Sequence, residues 1–373
     1  MEVNRILYVN GGIMNRGGIE SYMMSYYRNI DRNLLQIDFV VHGFEKGAYD
    51  DEIESLGGRI YRVPVKSKDY FGNINQLKKI FNNNNYKIVH SHMDAMSTVV
   101  LKVAKECGVP IRIAHSHNTQ HLTTNKLKYL LNEFARKNIT KYATHLYSCS
   151  EPAARWLFGD ENTDIGNVKY IRNAIDLEDY IFNKDIRTET RKEFGIQDYF
   201  VIGHVGRFDY QKNHLYLIDV FSKFLKNQPN SKLILVGDGH LRNEITNKIV
   251  DLNIEENVIL LGIRKDINKI INAFDVFLLP SHFEGLPLVL IEAQANGLNC
   301  IVSSNIAHEV NISGNVKFLP INHEVSNWVN TILSNRENYD RNVDLNNFIS
   351  AGYSIKNEAI KLQELYLSYL GEI

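Results

Sequence analysis

Short apolar runs with the length and composition of buried β-strands recur along the whole chain, and segments with helical periodicity separate them. The first series of runs is Ile6–Val9, Ile37–Val41, Ile60–Val63, Ile88–Ser91, Ile111–His115, His145–Cys149 and Val168–Ile171. The second series is Val201–Val205, Lys232–Val236, Val258–Leu261, Val276–Leu279, Cys300–Ser303 and Val316–Leu319. Alternation of strand and helix predicts parallel sheets with helices on both faces. We therefore expect an α/β protein with doubly wound sheets.

The length of 373 residues and the two series of strands together indicate two domains. The segment Asn173–Gln197 is polar and poorly periodic, which makes it the best candidate for the boundary. We predict that residues 1–178 form the first domain and residues 179–352 the second. A final helix over about residues 353–373 is expected to pack back on the first domain.

Composition and charge exclude several classes of protein. The chain has 42 Lys+Arg against 43 Asp+Glu, and this balance argues against nucleic acid as the main partner. No apolar run approaches the roughly 20 residues that span a bilayer, and the N-terminus enters a strand without a signal-like leader. The three cysteines have no pair or metal spacing and suit a reducing compartment. We expect a cytoplasmic protein, with a peripheral position on the inner face of the membrane left open.

The stretch from Leu278 to Gly297 is predicted to form a strand, a turn and a helix. Pro287 suits the first helical turn, and Gly297 suits the position just past the C-terminus. Glu284 then precedes the free amides of the helix N-terminus, which form an anion site that suits phosphate. Glu284 and Glu292 can accept hydrogen bonds from hydroxyl groups on either side of that anion. This arrangement suits a nucleotide-sugar, although two solvated glutamates on an ordinary strand–helix unit remain the alternative.

A second candidate loop is Val205–Asn213, which follows the first strand of the second series. Arg207 and Lys212 project from this loop, and two cations there can neutralise a diphosphate through charge-assisted hydrogen bonds. Fixed cations also stabilise the negative charge that develops on a leaving diphosphate. The alternative is that both are ordinary surface cations.

The first strand is followed by a glycine-rich turn, Asn10–Glu20, which holds two glycine pairs. Glycine permits positive φ and lets the backbone approach a ligand closely. The turn matches neither the Gly-x-Gly-x-x-Gly fingerprint nor the P-loop pattern, so a nicotinamide oxidoreductase is disfavoured. A plain flexible turn is the competing interpretation.

Histidines follow two neighbouring strands of the first series, in His90-Ser-His92 and in His115-Ser-His117-Asn118. The carboxyl ends of parallel strands are where α/β sites are built. Imidazoles are good zinc ligands, but no carboxylate or cysteine completes a set at ligand spacing, so we expect no metal.

Taken together, the stretches Phe283–Glu292 and Val205–Asn213 resemble the Glu-x7-Glu and Arg/Lys motifs of the retaining glycosyltransferases of family 4. The resemblance covers nearly the whole chain, and it departs at Asn213, where the family usually has glycine. It implies the GT-B fold, with two Rossmann-like domains facing each other across a cleft. It also implies that the second domain binds the donor and the first the acceptor.

The resemblance assigns roles to individual residues of the second domain. Glu292 would bind the ribose hydroxyls and Glu284 the hexose hydroxyls, while Arg207 and Lys212 would bind the diphosphate. Further contacts to the donor would come from the amides near Gly285 and Leu286, from the turn at Gly237 under the nucleotide, and from Arg264 beside the base.

In the first domain the resemblance implies that Gly17 and Gly18 cover the donor phosphates. It also implies a histidine that faces the transferred sugar or shapes the acceptor side, which we place at His117 with His115 as the alternative. Asn118 would lie on the same acceptor side. The implied catalytic set is Glu284, His117, Arg207 and Lys212.

Residues 123–142 are predicted to form a basic amphipathic helix or pair of helices. The basic side chains Lys126, Lys128, Arg136, Lys137 and Lys141 face a single acidic one, Glu133. The competing interpretations are a solvated helix face and attachment to anionic lipid, where each basic residue contributes roughly 1 kcal/mol.

The resemblance implies a retaining transferase that moves a hexose or N-acetylhexosamine from a nucleoside-diphosphate sugar, with UDP as the expected nucleotide. The acceptor would be a saccharide, expected to be lipid-linked, in capsule or exopolysaccharide synthesis. No metal or other cofactor is implied, because Arg207 and Lys212 supply positive charge. The alternatives are a nucleotide-sugar 2-epimerase of the same fold and a non-catalytic partner subunit of another glycosyltransferase.

Overall fold

The computed structural model describes residues 3–121, 123, 125–322, 324–335 and 340–371. The described chain forms two compact units. The first comprises the residues up to Ala174 together with those from Ile355 onward, and the second comprises Ile175–Ser354. The sequence prediction placed the passage from the first domain to the second at 178/179 and the return to the first at about 353.

The first unit contains a seven-stranded parallel sheet in the order β3-β2-β1-β4-β5-β6-β7. Its strands are β1 Asn4–Val9, β2 Leu35–His42, β3 Ile60–Val63, β4 Ile88–Ser91, β5 Ile111–Ser116, β6 His145–Ser148 and β7 Val168–Tyr170. Its helices are α1 Gly18–Asn29, α2 Asp50–Ser55, α3 Tyr70–Asn84, α4 Ser97–Glu106, α5 Lys126–Lys137, α6 Glu151–Asp164 and the C-terminal Ile355–Gly371. Short 3₁₀ turns occupy Asp94–Met96 and Ile139–Lys141.

The second unit contains a six-stranded parallel sheet in the order β10-β9-β8-β11-β12-β13. Its strands are β8 Phe200–Val205, β9 Ser231–Val236, β10 Val258–Gly262, β11 Val276–Leu279, β12 Asn299–Ser303 and β13 Val316–Leu319. Its helices are α7 Leu177–Tyr180, α8 Lys184–Glu193, α9 His214–Asn227, α10 Arg242–Asp251, α11 Ile267–Ala273, α12 Leu288–Ala295, α13 Ser326–Ser334 and α14 Leu345–Ser350. The 3₁₀ turns are Tyr210–Lys212, Glu255–Asn257 and His308–Val310.

The prediction of two doubly wound α/β units is confirmed, and every predicted strand is present with its ends within two residues. The reason is visible in strand β1, whose residues alternate between two cores. Ile6 and Tyr8 pack on one face of the sheet, while Leu7 and Val9 pack on the other. Because both faces are covered, such a strand reads as one continuous apolar run.

The segment Asn173–Gln197 differs from the irregular boundary that we expected. Most of it forms α7 and α8, which belong to the second unit. The polar side chains of α8 have a structural use, since Arg187 Nη2 lies 2.5 Å from Asp275 Oδ1 and Arg191 Nη1 lies 3.2 Å from Asp275 Oδ2. Partly buried ion pairs therefore take the place of the apolar stripe by which a helix is normally recognised.

The C-terminal helix, α15, packs against α1 of the first unit. Two tyrosine pairs fasten it to the sheet: Tyr366 OH lies 2.8 Å from Tyr8 OH, and Tyr369 OH lies 2.9 Å from Tyr147 OH. Within the described ranges, no helix has the length and apolar character that a membrane crossing requires.

Candidate active site

The strand order of the second sheet reverses direction between β8 and β11, which are neighbours in the sheet but far apart in the chain. In doubly wound sheets, ligands bind outside the carboxyl ends of the strands at such a switch point. The two loops that begin there are residues 206–213 after β8 and residues 280–287 after β11. Both candidate loops from the sequence thus start at the switch point.

An ion pair joins these two loops. Lys212 Nζ lies 2.6 Å from Glu284 Oε1, and Gln211 Nε2 donates a hydrogen bond of 3.0 Å to Glu284 Oε2. The Glu284 side chain is 5% exposed and that of Lys212 is 16% exposed. Each carboxylate oxygen of Glu284 is therefore fixed by one donor and retains a lone pair for a further hydroxyl group.

Arg207 lies in the same loop but has a different environment. Its side chain is 75% exposed, and its Nε lies 2.8 Å from Asp209 Oδ2. Asp209 also accepts a hydrogen bond from the Lys212 amide at 3.3 Å, which closes the turn that presents Lys212. Arg207 is thus a solvent-facing cation, whereas Lys212 is a largely buried one.

Asn213 occupies the position where the family usually has glycine. Its φ of 53° and ψ of 48° lie in the left-handed region. This conformation explains glycine in the family and asparagine in this chain, because glycine adopts it freely and asparagine tolerates it better than most other residues.

We expect Asn213→Val to destabilise the second unit by about 1–2 kcal/mol, because a β-branched residue is strained there. Asn213→Gly should leave stability nearly unchanged. Urea unfolding of both variants checks this, and equal stability of the Val variant would contradict it.

Helix α12 begins one residue later than predicted, so that Pro287 precedes the helix instead of standing in its first turn. Leu290 is the first residue whose amide donates back to Pro287 O, at 2.9 Å. In the described part of the chain, the amides of Gly285 and Leu286 make no intramolecular hydrogen bond. The prediction for Gly297 is confirmed, with a φ of 72° just past the helix.

Glu292 lies inside α12 and is half-buried. The Tyr180 hydroxyl hydrogen-bonds its carboxyl group. Burial raises the pKa of Glu292 to about 7, and the hydrogen bond to Tyr180 partly opposes that shift. The carboxyl group therefore titrates near neutral pH.

The remaining predicted residues of the second unit follow β9, which is the neighbour of β8, and β10, which is the edge strand beyond it. Gly237, after β9, has a φ of 136°, and a Cβ atom there would lie 2.0 Å from Gly206 O, so only glycine fits. Arg264 follows the edge strand β10, and its Nη2 lies 2.7 Å from Asp266 Oδ2. The structure thus brings Lys212 and Glu284 together, and it leaves Arg264 paired two strands away.

The glycine-rich turn of the first unit leads into α1, which begins at Gly18 with Gly17 as its N-cap. Neither glycine has a positive φ, so the conformational freedom we invoked is not used. A Cβ atom at Gly18 would meet nothing within 4 Å. Asn10 stabilises the turn, because its Nδ2 donates a hydrogen bond of 2.9 Å to Glu20 Oε1. Packing within the unit therefore does not explain glycine at position 18.

The histidines after β4 and β5 form a compact array of stacked rings. His90 Nε2 lies 3.0 Å from His115 Nδ1, and His92 Nδ1 lies 2.9 Å from His117 Nε2. Burial lowers the pKa of all four, to about 4 for His117. The rings are therefore neutral and hydrogen-bonded at neutral pH.

The array also brings three possible metal ligands within 4.8 Å of one another, namely His90, His92 and His115. The spacing argument from the sequence missed this group, because the residues come from two strands. Both ring nitrogens of His90 are already engaged, since His90 Nδ1 lies 2.6 Å from Tyr366 OH. The observed hydrogen bonds form two separate groups, one of Tyr366, His90 and His115 and the other of His92 and His117.

The two candidate histidines of the acceptor side differ in exposure. His115 is fully buried, whereas His117 is half-buried. Asp94 fixes the backbone here: its carboxylate accepts a hydrogen bond from the His117 amide at 2.8 Å and from Asn118 Nδ2 at 2.7 Å. His117 and Asn118 are therefore more accessible than His115.

Comparison with known proteins places this geometry in a family. The model described as Glycosyltransferase Family 4 matches residues 16–179, and that described as Glycosyl transferases group 1 matches residues 186–349. The chain is 38% identical over 338 residues to the putative glycosyltransferase EpsF of Bacillus subtilis (strain 168), covering 88% of this chain and 86% of that one. The chain belongs to the family 4 glycosyltransferases.

Two further relatives of this glycosyltransferase carry more specific names. One is the UDP-Gal:alpha-D-GlcNAc-diphosphoundecaprenol alpha-1,3-galactosyltransferase of Escherichia coli, 32% identical over 78% of each chain. The other is the capsular polysaccharide biosynthesis glycosyltransferase CapH of Staphylococcus aureus, 28% identical over 95% of this chain and 96% of that one. The relatives are thus glycosyltransferases of capsule and lipid-linked pathways.

The fold of this glycosyltransferase is also that of solved GT-B enzymes. Anabaena Alr3699/HepE in complex with UDP superposes with a TM-score of 0.74 at 16% identity, over all of both chains. At this identity the likeness establishes the fold alone.

Sequence reasoning missed three residues that organise the site. Gln211 precedes Lys212, and that adjacency was the available signal. Asp94 and Tyr180 lie far along the chain from the residues they hold, so no local pattern connects them with His117 or Glu292.

Proposed function

We propose that the protein is a retaining, metal-independent glycosyltransferase that moves a hexose or N-acetylhexosamine from a UDP-sugar to a saccharide acceptor. The acceptor is lipid-linked, and the product enters capsule or exopolysaccharide synthesis. The family supports retention, and the names of the relatives support the nucleotide and the acceptor class. A nucleotide-sugar 2-epimerase and a non-catalytic subunit are not favoured, because these relatives are transferases.

The observation that carries the proposal is the Lys212–Glu284 pair at the switch point of the second sheet. Lys212 and Gln211 hold the Glu284 carboxylate in one orientation, so its remaining lone pairs can accept hydrogen bonds from the hydroxyl groups of the donor hexose. Lys212 is largely buried, and a cation in such surroundings acts more strongly on a nearby diphosphate than one in water. The free amides of Gly285 and Leu286 are available as further donors to the same anion.

The proposed reaction breaks the bond between the anomeric carbon and the diphosphate oxygen. The acceptor hydroxyl forms the new bond from the same face, and its proton passes to the departing diphosphate oxygen. Lys212 and Arg207 stabilise the negative charge on the leaving group, which is the role that a divalent cation plays elsewhere. Glu284 and His117 position the sugar for this step.

Five further residues contact the donor: Glu292, Gly237, Arg264, Gly17 and Gly18. Glu292 accepts hydrogen bonds from the ribose hydroxyls, and the turn at Gly237 lies under the nucleotide. Arg264 lies beside the base. Gly17 and Gly18 cover the phosphates, which accounts for glycine at position 18 where no neighbour in the first unit demands it.

On the acceptor side we propose His117 and Asn118, which Asp94 holds. His115 supports His117 from the buried array and does not contact sugar. The membrane partner is an anionic surface on the cytoplasmic side, met through residues 123–142. Of these, Thr124 lies outside the described residues.

Glu292 makes donor binding depend on pH in a way that can be measured. Its pKa of about 7 means that the carboxylate, the better acceptor for two hydroxyl groups, forms as the pH rises through 7. We expect UDP-sugar affinity to increase about tenfold between pH 6 and pH 8, and Glu292→Gln to bind weakly at both. Calorimetric titration with an intact UDP-sugar checks this, because its diphosphate does not titrate in this range.

Glu244, an exposed residue of α10, provides the matched control. Glu244→Gln should reproduce the wild-type pH profile. A Glu292→Gln variant with the same profile as wild type would remove Glu292 from the ribose site.

Transfer itself is tested with labelled UDP-sugars and a bacterial extract of diphosphate-linked lipid saccharides, in buffer with EDTA. We expect labelled lipid product with the anomeric configuration of the donor. Inverted product would refute retention, and dependence on a divalent cation would refute metal independence. Conversion of the donor sugar without acceptor would show the epimerase instead.

A further inference from the structure

Helix α5, Lys126–Lys137, carries its apolar face on the outside of the protein. Four large side chains at positions i, i+3, i+4 and i+7 form one stripe along the helix, and their exposures are 68% for Leu127, 64% for Leu130, 60% for Leu131 and 72% for Phe134. An ordinary surface helix buries such a stripe against the core. This helix is turned the other way.

The polar side of α5 faces the protein and fixes this orientation. Arg136 has two partners. Its Nη2 lies 2.7 Å from Glu133 Oε1, and its Nη1 donates a hydrogen bond of 2.6 Å to the backbone carbonyl of Trp156. His121 Nε2 lies 3.1 Å from Glu133 Oε2. On the same side Ala135 is buried, and its carbonyl accepts a hydrogen bond of 2.7 Å from Thr98 Oγ1. The outward apolar stripe is thus held by a specific set of contacts.

Lysines flank the stripe on both sides. At 100° per residue, Lys126 and Lys137 fall on one edge of the stripe and Lys128 on the other. All three are exposed, as is Lys141 in the following 3₁₀ turn. Arg136 does not belong to this set, because Glu133 neutralises it. Lys137 Nζ also lies 4.0 Å from Glu133 Oε1, at the outer limit of an ion pair, so the positive charge beside the stripe comes mainly from Lys126, Lys128 and Lys141.

We propose that α5 is a membrane-docking helix that lies in the interface of an anionic bilayer. Leu127, Leu130, Leu131 and Phe134 enter the boundary between headgroups and acyl chains, and the flanking lysines contact the anionic headgroups. A helix with a sharp apolar stripe, Lys-rich borders and low overall hydrophobicity has the properties of such interfacial helices. Charge selects the lipid surface over a second copy of this chain, because two copies would bring the lysine borders together.

This inference refines the membrane partner of the proposed function, but it stands on the geometry of α5 alone. Binding is therefore measured by flotation with phosphatidylcholine vesicles, with and without 30 mole per cent phosphatidylglycerol, in the absence of donor and acceptor. We expect binding to the anionic vesicles, weakened when salt is raised from 0.1 to 0.5 M, since salt screens only the lysine contribution.

Two variants separate the contributions of the stripe and its borders. Leu127→Gln/Leu130→Gln/Leu131→Gln/Phe134→Gln should reduce partitioning at least 100-fold in any salt, with folding intact because the residues are exposed. Lys126→Gln/Lys128→Gln/Lys137→Gln/Lys141→Gln should reduce binding to anionic vesicles at least tenfold, since each lysine near the surface contributes about fivefold.

Matched controls use exposed residues elsewhere on the first unit. Phe44→Gln/Phe71→Gln and Lys68→Gln/Lys79→Gln/Lys87→Gln/Lys102→Gln should bind vesicles as wild type does. Wild-type binding by the apolar variant would overturn the proposal. The proposal would also be overturned if the wild type were a dimer in solution and only the apolar variant were a monomer, because the stripe would then bind a second copy of the chain. Loss of transfer with vesicle binding intact would count against the proposed reaction and not against docking.

Discussion

Lys212→Met is expected to lower turnover by more than about 100-fold and to destabilise the second unit by about 3 kcal/mol. Turnover falls because the leaving diphosphate loses its largely buried cation. Stability falls because Glu284, with a side chain 5% exposed, keeps no opposite charge beside it. Steady-state transfer and urea unfolding measure the two effects.

The double variant Lys212→Met/Glu284→Gln separates these effects. Removing both charges should recover most of the lost stability, because no buried charge remains, while turnover should stay as low as in the single variant. Glu284→Gln alone should remove most turnover and leave affinity for UDP nearly intact. Recovery of turnover in the double variant would show that the pair is structural.

Lys248 provides the matched control for this experiment. It lies 2.6 Å from Asp219, the same separation as in the Lys212–Glu284 pair, but the two side chains are 26% and 43% exposed. Lys248→Met should cost less than about 1 kcal/mol and leave turnover unchanged, as exposed ion pairs contribute little.

Acid is expected to unfold the first unit well before the second. Five histidines of the first unit have a lowered pKa because they are buried: His42, His90, His92, His115 and His117. The second unit has two, His204 and His214. Burial lowers the pKa of His42, His117 and His214 to about 4. It lowers the pKa of the other four histidines well below the ordinary value, so these rings stay neutral in the folded state.

Proton binding determines how the stability of each unit changes with pH. Below the ordinary pKa of about 6.5, the unfolded chain takes up protons that the folded chain does not, so stability falls as the pH falls. Each histidine contributes roughly 1.4 kcal/mol per pH unit until its folded pKa is reached. Hydrogen exchange of the peptides of each unit between pH 7.5 and 5 measures this, and equal acid sensitivity of the two units would contradict it.

One substitution tests the source of the slope. His117→Gln should reduce the pH dependence of the first unit by about 1.4 kcal/mol per pH unit, since one titrating group is removed.

The strands and their order of appearance could be predicted because a doubly covered sheet requires continuous apolar runs, and β1 shows why. The two loops at the switch point were also predictable, since Arg207, Lys212 and Glu284 each follow a recognisable strand. What could not be predicted was the pairing of Lys212 with Glu284, because the sequence does not show that β8 and β11 are neighbours.

The histidine array and helix α5 show a second kind of limit. His90 and His115 come from separate strands, and their contact depends on the register of β4 with β5. For α5 the periodicity was readable, but periodicity does not tell which face points outward. Arg136, Glu133 and Trp156 decide that question, and Trp156 belongs to another helix.

The most direct test of the account is the thermal stability of wild type and Glu284→Gln with a panel of UDP-sugars and with UDP, all in EDTA. A bound ligand stabilises by RT ln(1+[L]/Kd), about 2.7 kcal/mol at 100-fold excess over Kd. We predict that one UDP-sugar stabilises wild type more than UDP does, and that Glu284→Gln loses this excess while retaining the effect of UDP. No stabilisation of wild type by any UDP-sugar, or an undiminished excess in Glu284→Gln, would contradict the central claim that the Lys212–Glu284 site binds the donor sugar.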